Sequence, residues 1–236
     1  MTDVKRLYLM QVATMVERNL PFVCYLVQLN DGQNVLIDTG LPDAVQLPPG
    51  VTMPMPALGK NVVEQLASIG IEPGDIQHVI TTHFDGDHAG RLDAFKDAEF
   101  IVQRAHFENA QTNPRFERTK NQWGNPDLKF RMVDGDTELF PGLQLIETSG
   151  HAKGHQSVVV TLPNTGVVIL AIDAVANRNF YNLDRQLTQV DDNYEDLIDS
   201  TKKIMNLMET EKATMLVFGH DGDQWASLKK LPEFYD

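Results

Sequence analysis

His83-Phe84-Asp85-Gly86-Asp87-His88 follows the apolar run Val79-Ile80-Thr81-Thr82 and packs two imidazoles and two carboxylates into six residues. A buried strand should end there and a loop begin. Imidazole and carboxylate are the side chains that ligate small, hard-to-borderline divalent cations. His151, Asp173 and His220 stand farther along the chain, each at the end of another apolar run. A lone His or Asp at a strand end is ordinarily a turn or cap residue. Four polar segments delivered from four strand ends is instead how a metal-dependent active site is assembled.

The segments between them set the architecture. Phe22 to Val27 and Val35 to Ile37 flank Asn30-Asp31-Gly32, which reads as a hairpin ending at Asp38-Thr39-Gly40. Leu41 to Gly59 contains Pro42, Pro48, Pro49, Pro54 and Pro56, so it is neither regular helix nor central strand. Its apolar residues, Met53 and Met55 among them, suit either a substrate pocket or loop packing. Asn61 to Ile69 predicts a helix with Gly70 at its C-terminus. Short strands are expected at Ile76 to Thr82 and Phe100 to Val102, with a short helix over Arg104 to Gln111. Asn113 to Lys129 reads as irregular. Two strands surround Pro141-Gly142, and a hairpin surrounds Pro163 to Gly166. Tyr194 to Met208 carries Leu197, Ile204, Leu207 and Met208 on one helical face, and Met215 to Phe218 is a last strand. Strands with interspersed helices, without repeats or linkers, predict one compact α/β or α+β domain over residues 1–236.

Composition narrows the function. The 236 residues carry a formal net charge of −13, which argues against a nucleic-acid partner. Cys24 is the single cysteine, which excludes an internal disulfide and a cysteine-held zinc; buried packing is its expected role. No apolar run approaches the ~20 residues of a membrane span. Met1 to Gln11 has no signal-peptide h-region, so a cytoplasmic soluble protein is expected. Nothing in the chain argues for or against a homodimer.

In a loop, His83 and Asp85 can face one point while Asp87 and His88 face another. Two metals ~3.5–4 Å apart need a shared ligand, and Asp173 is placed to bridge them. His151 would complete the first position and His220 the second. A hydroxide held between the metals would be the nucleophile. His155 suits a supporting, hydrogen-bonded role; His78 and His106 read as solvated, and the acidic run Asp191 to Asp199 as an exposed helix start.

The segment His83 to His88, followed by Ala89-Gly90, resembles the His-x-His-x-Asp-His signature of the metallo-β-lactamase superfamily. Asp38-Thr39-Gly40, Ser149-Gly150-His151, Ile172-Asp173-Ala174 and Phe218-Gly219-His220-Asp221 are similar to its other loops, in order. Within the superfamily the chain most resembles the N-acyl homoserine lactonases, including at Gly154-His155-Gln156-Ser157 and Phe234-Tyr235. The resemblance implies an αβ/βα sandwich of two mixed β-sheets flanked by helices. It also implies two divalent metal ions, with zinc first and iron, manganese or cobalt as alternatives, and opening of a lactone ring. Asp87 would pass a proton to the departing alkoxide. Two positions depart from the pattern: Asp85 replaces the second His of the signature, and Ala176 stands where the family has a tyrosine. Tyr181 is the candidate to reach back in its place.

Three other functions compete. Another lactone or ester could be the substrate on the same fold. Flavodiiron oxidoreductases share a carboxylate at the position of Asp85 but add a flavin domain, whereas only Asp221 to Asp236 follow His220. A non-catalytic metal-binding module is disfavoured by the complete ligand set.

Overall fold

A computed structural model describes residues 2–43 and 55–236 of the protein. The chain begins with two long strands, β1 (Val4–Met15) and β2 (Leu20–Leu29), buried along most of their length. Strands apolar on both faces need cover on both sides. After β2 the chain reverses through Gly32 at φ +92° into β3 (Asn34–Ile37), and Tyr25 pairs with Ile37. The positive φ is what the Asp-Gly pair supplies. β4 (Ala57–Leu58) adds to the outer edge of β1. Most of the proline-rich stretch, Met53 included, lies outside the described residues; Met55 is exposed.

Helix α1 (Val62–Ala67) starts at Asn61, whose side chain accepts from the Glu64 N–H while the Glu64 carboxylate accepts from the Asn61 N–H. Three parallel strands follow: β5 (His78–Ile80), β6 (Glu99–Gln103) and β7 (Lys129–Val133). Between β6 and β7 lie α2 (Arg104–Ala110) and the single turn α3 (Lys120–Trp123). The resulting seven-stranded sheet has the order β4-β1-β2-β3-β5-β6-β7, antiparallel at one end and parallel at the other.

The second sheet is built from β8 (Thr137–Phe140), β9 (Leu143–Glu147), β10 (Gln156–Leu162), β11 (Gly166–Ile172) and β12 (Met215–Phe218), in the order β12-β11-β10-β9-β8. Only β11 and β12 run parallel. Helix α4 (Tyr194–Thr210) fills the β11–β12 crossover, and α5 (Gly222–Ser227) follows β12.

Residues alternate along the strands, so each sheet contributes to two cores. One core lies between the sheets, where Leu9, Tyr25, Ile37 and Ile101 meet Leu145, Val158, Leu170 and Val217. The outer face of the large sheet packs Met10, Cys24, Leu36 and Phe100 against Val62, Leu66, Phe116 and Trp123. The outer face of the small sheet packs Val159, Ile169 and Leu216 against Ile204 of α4. Helices, sheet, sheet and helix form the four expected layers, with both sheets mixed. None of the described helices is long and apolar enough to cross a membrane.

Candidate metal centre

β3 and β5 run parallel in one sheet, and β9 and β11 point the same way in the other because β10 reverses between them. Asp38, His83 to His88, His151, Asp173 and His220 follow the carboxyl ends of β3, β5, β9, β11 and β12. The packed sheets bring these ends together at one edge.

The loop after β5 is fastened from several sides. The N–H groups of His88 and Ala89 donate to the Asp85 carbonyl, closing a tight turn. Phe84 is buried, stacks on Trp123 at 4.9 Å, and donates its N–H to His106 Nε2 at 2.9 Å. His106 is fully buried, not solvated as expected, with Nδ1 on the Lys153 carbonyl at 2.8 Å. It braces the loop. His78 is half-buried and pairs with Glu99.

Every imidazole of the centre has Nδ1 occupied from behind. The partners are Thr82 Oγ1 for His83 (3.1 Å), Asp38 for His88 (2.7 Å), Asp191 for His151 (3.0 Å) and the Pro21 carbonyl for His220 (2.8 Å). Each Nε2 therefore faces inward. Asp38 and Asp191 stand where outer carboxylates orient imidazoles in metal sites. The Asp191 side chain is buried against His151 and Thr188, contrary to its reading as an exposed helix start. His155 has the expected supporting place, between Thr148 Oγ1 and the Asp173 N–H.

Asp85 Oδ2 lies 3.3 Å from His83 Nε2 and 3.2 Å from His151 Nε2. Asp173 Oδ2 lies 3.7 Å and 3.3 Å from the same nitrogens. On the other side, Asp87 Oδ2 is 3.5 Å from His88 Nε2 and 3.7 Å from His220 Nε2, and Asp173 Oδ1 is 3.0 Å from His220 Nε2. Donors about 2.0–2.1 Å from a tetrahedral ion stand roughly 3.4 Å apart, which is the spacing found on both sides of Asp173. His83 Nε2, His88 Nε2 and Asp173 Oδ1 are buried without a well-aligned hydrogen bond. Buried polar atoms left so are costly unless a further partner exists. Mixed imidazole and carboxylate donors at this spacing fit divalent cations.

The electrostatics agree with that fit. Burial raises the pKa of Asp173, but the imidazoles of His220, His88 and His151 outweigh it and hold the carboxyl well below its usual range. Burial opposes charge on His151, yet Asp173, Asp191 and Asp85 carry its pKa up to about 9. The cluster attracts positive charge.

Sequence reasoning missed Arg115. It sits in the turn Pro114–Phe116 of the segment read as irregular, and its guanidinium forks onto Asp85. Tyr181 goes elsewhere: its ring packs on Phe218, 5.9 Å away, beside α4. Among the described residues, no tyrosine hydroxyl hydrogen-bonds to any of the seven donor residues.

The metallo-β-lactamase superfamily model matches residues 20–220. An N-acyl homoserine lactonase of Bacillus cereus is 31% identical over 225 residues, covering 92% of this chain and 87% of the relative. The chain belongs to the N-acyl homoserine lactonase family of the metallo-β-lactamase superfamily. The lactonase AttM of Rhizobium radiobacter is 30% identical, with all of both chains covered. A Bacillus thuringiensis AiiA variant, solved with N-decanoyl-L-homoserine at its active site, superposes with a TM-score of 0.88 at 29% identity over the whole of both chains. This lactonase-family chain thus shares the fold of that enzyme along its whole length.

Proposed function

We propose that this protein opens the lactone ring of N-acyl homoserine lactones in a metal-dependent hydrolysis. The observation that carries the reading is the pair of donor groups sharing Asp173, in a chain similar along its length to lactonases. His83, Asp85 and His151 form one group, Asp87, His88 and His220 the other. Divalent ions held there, zinc first and iron, manganese or cobalt as alternatives, would supply Lewis acidity and acidify water at neutral pH.

The chain's own residues do the rest. Asp38, Asp191, Thr82 and the Pro21 carbonyl fix the direction of the four imidazoles, so the donors are set before substrate arrives. Asp87 is the most open carboxylate of the second group, with 22% of its side chain exposed. It would take a proton from the attacking water and hand it to the ring oxygen as the C–O bond breaks. Ala176 puts a methyl where the family has a phenol, so no hydroxyl at this position can donate to the ester.

A metal-loaded sample should convert N-acyl homoserine lactones to the acid, read as base uptake in a pH-stat and a mass gain of one water. Turnover of other lactones or esters in preference would redirect the substrate assignment. Inactivity on every lactone, with hydrolysis of a β-lactam or thioester, would overturn it.

A further inference from the structure

Arg115 uses all five of its N–H groups. Nε donates to Asp85 Oδ1 at 2.9 Å, and Nη2 contacts both Asp85 Oδ2 and His151 Nε2, the latter at 2.9 Å. Nη1 donates to the His151 carbonyl at 2.7 Å and to Asp192 at 2.9 Å. A guanidinium so satisfied is fixed in place, and it cannot lose its charge at any ordinary pH. Burial works against that charge, but Asp85 and Asp192 more than restore it.

Asp85 Oδ2 and His151 Nε2 are also the atoms that must face a cation in the first donor group. Arg115 thus stands along one edge of that position and claims lone pairs the cation needs. Nη2 therefore stands 2.9 Å from the nitrogen that a cation in this group would take. No cation of the chain lies within ion-pair distance of Asp87 or His220 among the described residues other than the imidazoles of the centre. The two positions are unequal in charge and in competition. Asp85 brings a negative charge where the family has imidazole, and Arg115 cancels it.

We infer that Arg115 is a built-in competitor at the first metal position, so that the position formed by Asp87, His88, His220 and Asp173 fills first and the one formed by His83, Asp85 and His151 fills weakly. The inference rests on the reading of these donors as metal ligands. In this chain Asp85 has two masters: it anchors the guanidinium, and it ligates only when that anchor is shared. A second cation then enters a site that already holds one.

The test is metal binding, read without turnover. Chelator-stripped protein is titrated with zinc and, separately, with cobalt(II). Bound metal is followed by equilibrium dialysis with elemental analysis and by calorimetry. Two classes are expected in the wild type, the second weaker on the order of tenfold or more. Arg115→Met should tighten the weak class by a similar factor and leave the tight one unchanged. His220→Ala should abolish the tight class, and His83→Ala only the weak one. Arg115→Lys keeps a cation but loses the fork onto Asp85, and should fall between. Two equal, tight equivalents in the wild type overturn the inference, even if Arg115→Met does not fold. So does a loss of the tight class in His83→Ala. Absence of binding in every variant overturns the metal reading itself, whereas normal binding without lactone turnover overturns only the proposed substrate.

Discussion

Asp38 is buried behind His88, where its carboxylate accepts from His88 Nδ1, the Thr82 N–H and the Thr82 hydroxyl. Burial raises its pKa, and the bonds from His88 and Thr82 pull the other way. The residue also adopts φ +59°, which Asp and Asn tolerate better than most side chains. Asp38→Asn therefore keeps the backbone and changes the charge behind His88. Metal affinity at the second position should fall roughly 10–100-fold, checked by equilibrium dialysis. Asp38→Ala should also destabilise the fold, by about 1–3 kcal/mol for each buried donor left unpaired, read from urea unfolding. Unchanged metal binding in the Asn variant would remove Asp38 from the centre's support. The inward residues were legible because six positions after one apolar run hold four donors. Asp191, His106 and Arg115 were not, because each finds its partner 40, 22 or 30 residues away. Such pairs leave no local pattern. Asp191 looks like part of an acidic helix start, and His106 sits between Ala105 and Phe107 on a helix of seven residues, too short to show a buried face.

Strand ends carry the site, and their geometry explains which elements the sequence revealed. The hairpins at Gly32, Gly142 and Gly166 follow from turn residues at positive φ, and α4 follows from one apolar face over Asn193, its side-chain cap. β7 escaped because its apolar residues Phe130 and Met132 are only half-buried, beside Phe100 and Val102 of the neighbouring strand, and its other face is charged. α3 escaped because a single turn has no period; Trp123 holds it against Phe84. Gly219, by contrast, has a role that only packing reveals. A Cβ there would stand 2.4 Å from the Ile172 carbonyl and 2.8 Å from Asp173 Oδ1, where the β12 end crosses the β11 turn. Backbone cannot yield as a long side chain can. Gly219→Ala should push the Asp173 carboxylate and His220 apart. The expected result is loss of metal from both positions, with overpacking that costs about 1–3 kcal/mol of stability. Elemental analysis beside urea unfolding checks it, and an Ala variant with full metal content would show that the turn has room.

Across the whole molecule, the outer helical layer closes over the loop after β5 through His106, and that closure couples stability to pH. Burial lowers the His106 pKa to about 4 from 6.5, against the hydrogen bond to Lys153, which favours the charged ring. The unfolded chain therefore binds a proton between these values and the folded chain does not. Stability from this group is complete above about pH 6.5 and falls as pH drops toward 4, by at most about 1.4 kcal/mol per pH unit. His155, lowered to about 3 by burial first and His151 second, adds a slope of the same sign. Burial also lowers His83, which adds to the same slope, whereas the raised values of His88, His151 and His220 add nothing of this sign. In metal-free protein, urea midpoints measured from pH 7.5 down to 4 should decline along the whole range below 6.5. His106→Gln can still accept from the Phe84 N–H and donate to the Lys153 carbonyl, and it does not titrate. It should be less stable than wild type at neutral pH and lose less on acidification, so that the two curves converge toward pH 4. Parallel curves would mean that His106 is protonated in the folded protein and that its bond from the Phe84 N–H does not form.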